Sequence, residues 1–237
     1  MRVLFKVFCS SLLVLILSAS PLYALILGSV TGEWINPEGG YQPALSYSDG
    51  AVSYGSGIEN RVWFGVAANS EQSGLGFTGV GTPYAFESGD VFKLGRLRHL
   101  NSPTLIGSSI TGVDLLVSMS FIDPEGLAGQ VGFTLSLTNT PNINSVSDDF
   151  VFFPTSFAPV VFGTDSVWYT FELLGLGPDP YNLVSSLQTP EGSLNNTYLW
   201  GRITAGDAVK PVPEPVMLIL FGSGFLVLAG ARIRAKG

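Results

Sequence analysis

The chain has 237 residues, with 29 glycines, 15 prolines, 12% charged and 12% aromatic side chains. That composition suits a turn-rich β protein and excludes extended disorder, which needs more charge and fewer aromatics. Residues 25–211 hold six Lys or Arg against seventeen Asp or Glu. So acidic a segment repels phosphate backbones, and nucleic acid is not an expected partner. It would tolerate Ca²⁺, but acidity by itself serves solubility.

The N-terminus reads as an export signal. Arg2 and Lys6 give a positive start, residues 7–17 an apolar core, and Ser18, Ala19 and Ser20 a small-residue region. The apolar core is too short to span a bilayer, which takes about 20 residues. Cleavage is expected after Ala24, because Pro21 disfavours a cut directly after Ser20. The general export machinery and signal peptidase are the implied partners. The only cysteine, Cys9, precedes most of the apolar core, where a lipid-bearing cysteine would follow it. The mature chain is then free of thiols, disulfides and Cys metal sites.

The expected ectodomain covers 25–206. Period-two alternation marks three strands with one buried face each. Val113, Leu115, Val117, Met119 and Phe121 form the first; Val131, Phe133, Leu135 and Leu137 the second; Val167, Tyr169, Phe171 and Leu173 the third. Shorter strands are expected at 61–67, 90–95, 149–153 and 197–204. Turn signals separate them, such as Asp123-Pro124-Glu125-Gly126 and Gly177-Pro178-Asp179-Pro180. No helical period runs through ten or more residues. The expected fold is an all-β antiparallel sandwich of jelly-roll kind.

Chemistry-bearing groups are few. His99 is the only histidine. Neither a G-x-S-x-G elbow nor a catalytic cysteine accompanies it, so it is expected to hydrogen-bond at a strand–loop junction. With Arg96 and Arg98 it makes the densest positive cluster of the acidic region, suited to carboxylate pairing or to an anionic sugar. Asp123 with Glu125, and Asp148 with Asp149, are the carboxylate pairs a glycosidase would need. Both sit in turn-rich stretches, where Asp commonly bonds its own backbone. Neither has calcium-loop spacing. No catalytic residue, metal ligand or cofactor is therefore expected, and the chain reads as a non-enzyme. Of Trp34, Trp63, Trp168 and Trp200, most are expected in the core. Trp168 is out of phase with Val167, Tyr169 and Phe171, and would face away from the main apolar set, onto either a second buried face or an exposed platform. It is the one candidate ligand contact, with extracellular polysaccharide as the partner an aromatic face suits.

After a linker at 207–211, Val212-Pro213-Glu214-Pro215 precedes an apolar run at 216–231, and Arg232, Arg234 and Lys236 end the chain. Sixteen helical residues reach about 24 Å, slightly less than the usual hydrocarbon thickness. The basic end should stay cytoplasmic. An ordinary single-pass anchor after a Pro-rich linker would look broadly similar. The motif, the short helix and the basic end, in that order over 212–237, resemble the PEP-CTERM sorting signal. The resemblance implies a Gram-negative bacterium that makes exopolysaccharide. It also implies processing by an exosortase, a membrane-embedded cysteine peptidase that would read Pro213, Glu214 and Pro215. The protein would pass through the inner membrane to the cell surface or extracellular matrix.

The region between the ends is similar to the choice-of-anchor K domain. The matching pieces are Gly32-Glu33-Trp34-Ile35-Asn36-Pro37, Arg61-Val62-Trp63-Phe64-Gly65, Ser73-Gly74-Leu75-Gly76-Phe77 and residues 92–103. Thr104 departs from the β-branched aliphatic expected there. The resemblance implies a surface-exposed β domain and supplies no activity.

Overall fold

The computed structural model describes residues 24–51, 58–81, 83–141, 147–164 and 167–206. Of the expected signal segment 1–24, residues 1–23 lie outside the described residues, as do the expected linker at 207–211 and the expected sorting signal at 212–237. With the tail go Val212, Pro213, Glu214, Pro215, Arg232, Arg234 and Lys236. Among the described residues no helix is long and apolar enough to cross a membrane.

Thirteen strands and one 3-10 turn, Gln42–Ala44, make up the described fold. In chain order the first strands are β1 (Ala24–Gly39), β2 (Ser46–Ala51), β3 (Ile58–Phe64), β4 (Ser73–Gly79) and β5 (Tyr84–Glu87). Then come β6 (Val91–Asn101), β7 (Ile110–Asp123), β8 (Ala128–Thr138) and β9 (Asp149–Phe152). The last are β10 (Val160–Gly163), β11 (Trp168–Gly177), β12 (Ser186–Thr189) and β13 (Ser193–Gly206). They form a six-stranded sheet, β12-β9-β8-β7-β1-β5, and a seven-stranded sheet, β10-β11-β13-β6-β4-β3-β2. Every pairing between these strands is antiparallel.

The alternation read from the sequence decides which faces meet. Val113, Leu115, Val117, Met119 and Phe121 on β7 are all buried, as are Val131, Phe133, Leu135 and Leu137 on β8. From the other sheet, Leu75, Phe77, Leu94, Leu97, Tyr169, Phe171, Leu199 and Ile203 enter the same core. Burial of one apolar face per sheet is the driving term, worth roughly 1.5–3 kcal/mol for each large side chain removed from water. The two sheets are thus held by a shared apolar layer rather than by covalent links.

The structure moves several expected boundaries. The strand expected at 61–67 is β3, ending at Phe64, because Gly65 takes a φ of +79° that stops the extended run. The strand expected at 90–95 is the first half of β6, and that expected at 197–204 the central part of β13, two long strands paired from Asn101↔Ser193 to Val91↔Arg202. β1 was not expected. Its first residues look like the end of the export signal, yet Leu25 and Leu27 are fully buried and pair with β5.

Candidate functional site: a cationic aromatic sheet face

The outer face of the seven-stranded sheet follows from register and period two. On β3 it presents Glu59, Arg61 and Trp63, which lie opposite Thr78, Gly76 and Gly74 of β4. All three β4 residues pair on their other side with β6: Thr78 with Arg96, Gly76 with Arg98 and Gly74 with Leu100. Arg96 and Arg98 in turn oppose Tyr198 and Asn196 of β13. Farther along, Trp200 opposes Lys93, and Arg202 opposes Glu172 of β11. Trp168, at the start of β11, alternates with buried Tyr169 and shares this outer face.

Glu59 organises one end. Its side chain has no solvent exposure, while those of Arg61, Arg96 and Arg98 are 21–22% exposed. Arg61 Nε donates to Glu59 Oε1 at 2.6 Å, and Arg98 Nη2 donates to the same oxygen. Arg96 Nη2 stands 3.6 Å from Oε2, and Thr78 Oγ1 donates to Oε2 at 3.4 Å. Burial lowers the Arg98 guanidinium below its usual range, helped by the charges of Arg61 and Arg96, and the Glu59 charge offsets this only in part. One carboxylate thus serves three guanidiniums, which leaves donors and positive charge over at the rim.

Aromatic rings continue the face on both sides. Trp63 donates its indole N–H to Ser48 Oγ at 2.8 Å, and the Arg61 guanidinium lies 5.9 Å from the Trp63 ring centroid. Lys93 Nζ lies 4.5 Å above the Tyr198 ring, within the range of cation–π attraction. The Tyr198 and Trp200 rings meet edge to face, 6.4 Å apart. Trp200 donates to the Gly177 carbonyl at 3.0 Å and lines a cavity of about 380 Å³ with Val80, Tyr84, Val91, Phe92 and Lys93. Polar anchoring at the indole nitrogen leaves each ring fixed but half-buried, with apolar surface still facing out.

The expectation that most tryptophans lie in the core is corrected. Only Trp34 is buried there, donating to the Asn60 carbonyl at 3.0 Å; Trp63, Trp168 and Trp200 are half-buried on the outer face. Trp168 stands where the phase argument placed it.

His99 does not belong to the positive cluster. It alternates with Arg98 and points inward, 1% exposed, its Nδ1 2.9 Å from Thr189 Oγ1 on the other sheet. The bond thus joins the two sheets from within β6 rather than serving a strand–loop junction. Burial lowers its pKa to about 4, so the ring is neutral at pH 7. Asn101 extends this inter-sheet tie by donating to the Thr189 carbonyl at 2.9 Å.

The carboxylate pairs do not converge. Asp123 and Glu125 are exposed in the β7–β8 turn. Asp149 is buried and accepts from the Thr140 N–H at 2.8 Å, while neighbouring Asp148 is held by the Gln188 side-chain amide. Among the described residues no group of His, Cys, Asp or Glu has the arrangement of a metal site.

Glu59, Arg61, Lys93, Tyr198 and Arg202 are the residues of this face that the sequence reading missed. The signal was present as i, i+2, i+4 runs, in Glu59-Arg61-Trp63 and Tyr198-Trp200-Arg202, and could have been read on the polar phase of each strand. No family model and no curated protein matches the chain.

Proposed function

We propose that the chain is a non-enzymatic, exported surface protein that binds polysaccharide through the outer face of its seven-stranded sheet. The observation that carries this is the placing of Trp63, Trp168 and Trp200 on one open face instead of in the core. Flat aromatic surfaces stack on the apolar faces of sugar rings, and the indoles of Trp63 and Trp200, fixed by their own hydrogen bonds, lose little freedom on binding. The jelly-roll reading of the sandwich belongs to this proposal, since it gives a broad sheet face rather than a deep cleft. Binding on a glycan array that is lost on Trp168→Ala, with the circular dichroism spectrum kept, is the expected result. An array with no bound glycan removes the reading.

The delivery of the protein is a matter of its ends. The signal segment at 1–24 starts export, the apolar run at 216–231 halts it, and an exosortase reads Val212-Pro213-Glu214-Pro215 at the outer side of the inner membrane. The basic end, Arg232, Arg234 and Lys236, holds the tail's orientation. Cleavage after Ala24 suits the fold, because it spares Leu25 and Leu27, both fully buried. After processing, the protein resides at the cell surface or in the matrix.

A further inference from the structure

Residues 24–206 contain five Lys or Arg: Arg61, Lys93, Arg96, Arg98 and Arg202. All five lie on the outer face of the seven-stranded sheet, on β3, β6 and β13. Only two carboxylates of the described strands share that face, Glu59 and Glu172, the latter 3.7 Å from Arg202. In a chain with pI near 4.6, six other acidic residues of the described strands, Glu33, Glu38, Glu87, Asp114, Asp123 and Asp149, belong to the six-stranded sheet instead. Nothing in the core requires this segregation. For solubility alone, scattered charges of both signs would serve as well.

We propose that the ligand of this face is an acidic polysaccharide, its carboxylate or sulfate groups held by Arg61, Arg96 and Arg98 around Glu59 and by Lys93 beside Tyr198. The proposal rests on the polysaccharide-binding reading above and adds the ligand's charge. Guanidinium groups are suited to planar, two-point recognition of such anions, and these three are already oriented by Glu59. The cost of ordering their side chains is thus met before the ligand arrives. The rest of the molecule is acidic and would repel a polyanion at long range. At about 0.1 M salt, however, the Debye length is about 10 Å, comparable with the spacing of two packed sheets. Charges behind the cationic face are then largely screened, while direct contacts on it persist. Tyr198, Trp200 and Trp63 stand beside the cations, so ring stacking and charge pairing can act on successive residues of one chain. A nucleic-acid duplex, with one charge per about 1.7 Å, fits a globally acidic protein less well than a sparsely charged glycan.

The test uses the full-length protein in detergent on columns of dextran sulfate, polygalacturonate and dextran at 0.1 M NaCl. The variants are Arg96→Gln and the double Lys93→Gln/Arg202→Gln; the latter leaves the Glu59 cluster untouched should the former fail to fold. Retention on at least one acidic column, about tenfold weaker for the double variant and weaker still at 0.5 M NaCl, is the expected result. The two acidic columns tell sulfate from carboxylate as the preferred group. Equal retention on dextran overturns the charge inference and leaves polysaccharide binding standing. Absence of retention on both acidic columns, or retention unchanged in the double variant, also overturns it. Sedimentation without polymer provides the last arm: self-association abolished by the double variant would make a second copy of this acidic chain the occupant, against the proposal.

Discussion

A Cβ built on Gly76 of β4 would stand 2.6 Å from the carboxyl carbon of Glu59 on β3. The missing side chain at position 76 is what lets Glu59 lie flat across the sheet and reach Arg98 on the strand beyond. The Glu59 carboxylate is pinned by three guanidiniums and cannot move aside cheaply. Gly76→Ala is therefore expected to destabilise the fold by about 2 kcal/mol through overpacking. Gly206→Ala is the control, since its Cβ meets nothing closer than 3.6 Å and should change stability little. Urea unfolding of both variants checks the contrast; equal midpoints would deny the steric role of Gly76.

Removing the Glu59 charge leaves three guanidiniums facing one another. Because Glu59 is fully buried while its partners keep some exposure, Glu59→Gln is expected to cost about 3 kcal/mol. Solvent at the rim keeps the cost from being larger. Thermal unfolding in low and high salt measures it: added salt should restore part of the loss by screening the arginines. An unchanged melting temperature would mean that the cluster contributes nothing to the fold.

The buried His99 predicts a pH dependence whose sign is fixed. Its folded pKa of about 4 lies below the usual value of 6.5, so the unfolded chain binds the extra proton first. Its contribution to stability is fully present above pH 6.5 and is lost as pH falls towards 4, amounting to roughly 3 kcal/mol. Asp149 and Glu191 act in the opposite sense. Burial raises both, Glu191 further through the Asp149 charge, so their folded forms hold protons longer as the pH rises. His99→Asn should flatten the acid limb of the stability profile measured by urea unfolding from pH 7 to 4. A limb as steep as that of the wild type would assign the loss to other groups.

If 212–237 is the sorting signal proposed above, Glu214→Ala is expected to leave export intact and to block maturation. Intact mass of the protein from its native host checks this. The wild type should lack the segment after about residue 215 only when the exosortase is present, and the variant should keep it in either strain. A full-length tail in every case would make 216–231 a plain single-pass anchor.

The β7–β8 hairpin was legible in the sequence because each strand alternates strictly over long runs, with a turn signal between Asp123 and Gly126. β4 was not: in Ser73-Gly74-Leu75-Gly76-Phe77 the outer phase is glycine, so half of the alternation has no side chain to announce it. The function of those glycines is visible only once Trp63 and Glu59 are seen lying over them. β1 was hidden by position, since Leu25 and Leu27 follow on from the apolar segment that reads as an export signal. Sequence adjacency grouped His99 with Arg96 and Arg98, whereas the two-residue period of a strand sends neighbours to opposite faces. Trp168 was placed correctly by that same period. The cationic face as a whole required the register of β3, β6 and β13, which no single segment contains.

Polysaccharide binding at the outer face of the seven-stranded sheet can be read directly at the four indole N–H groups. With ¹⁵N-labelled tryptophan, added acidic polysaccharide is expected to shift the Trp63, Trp168 and Trp200 signals. The signal of Trp34, buried in the core and bonded to the Asn60 carbonyl, should stay in place. Binding that leaves the three outer indoles unmoved would put the ligand on another surface and contradict the account.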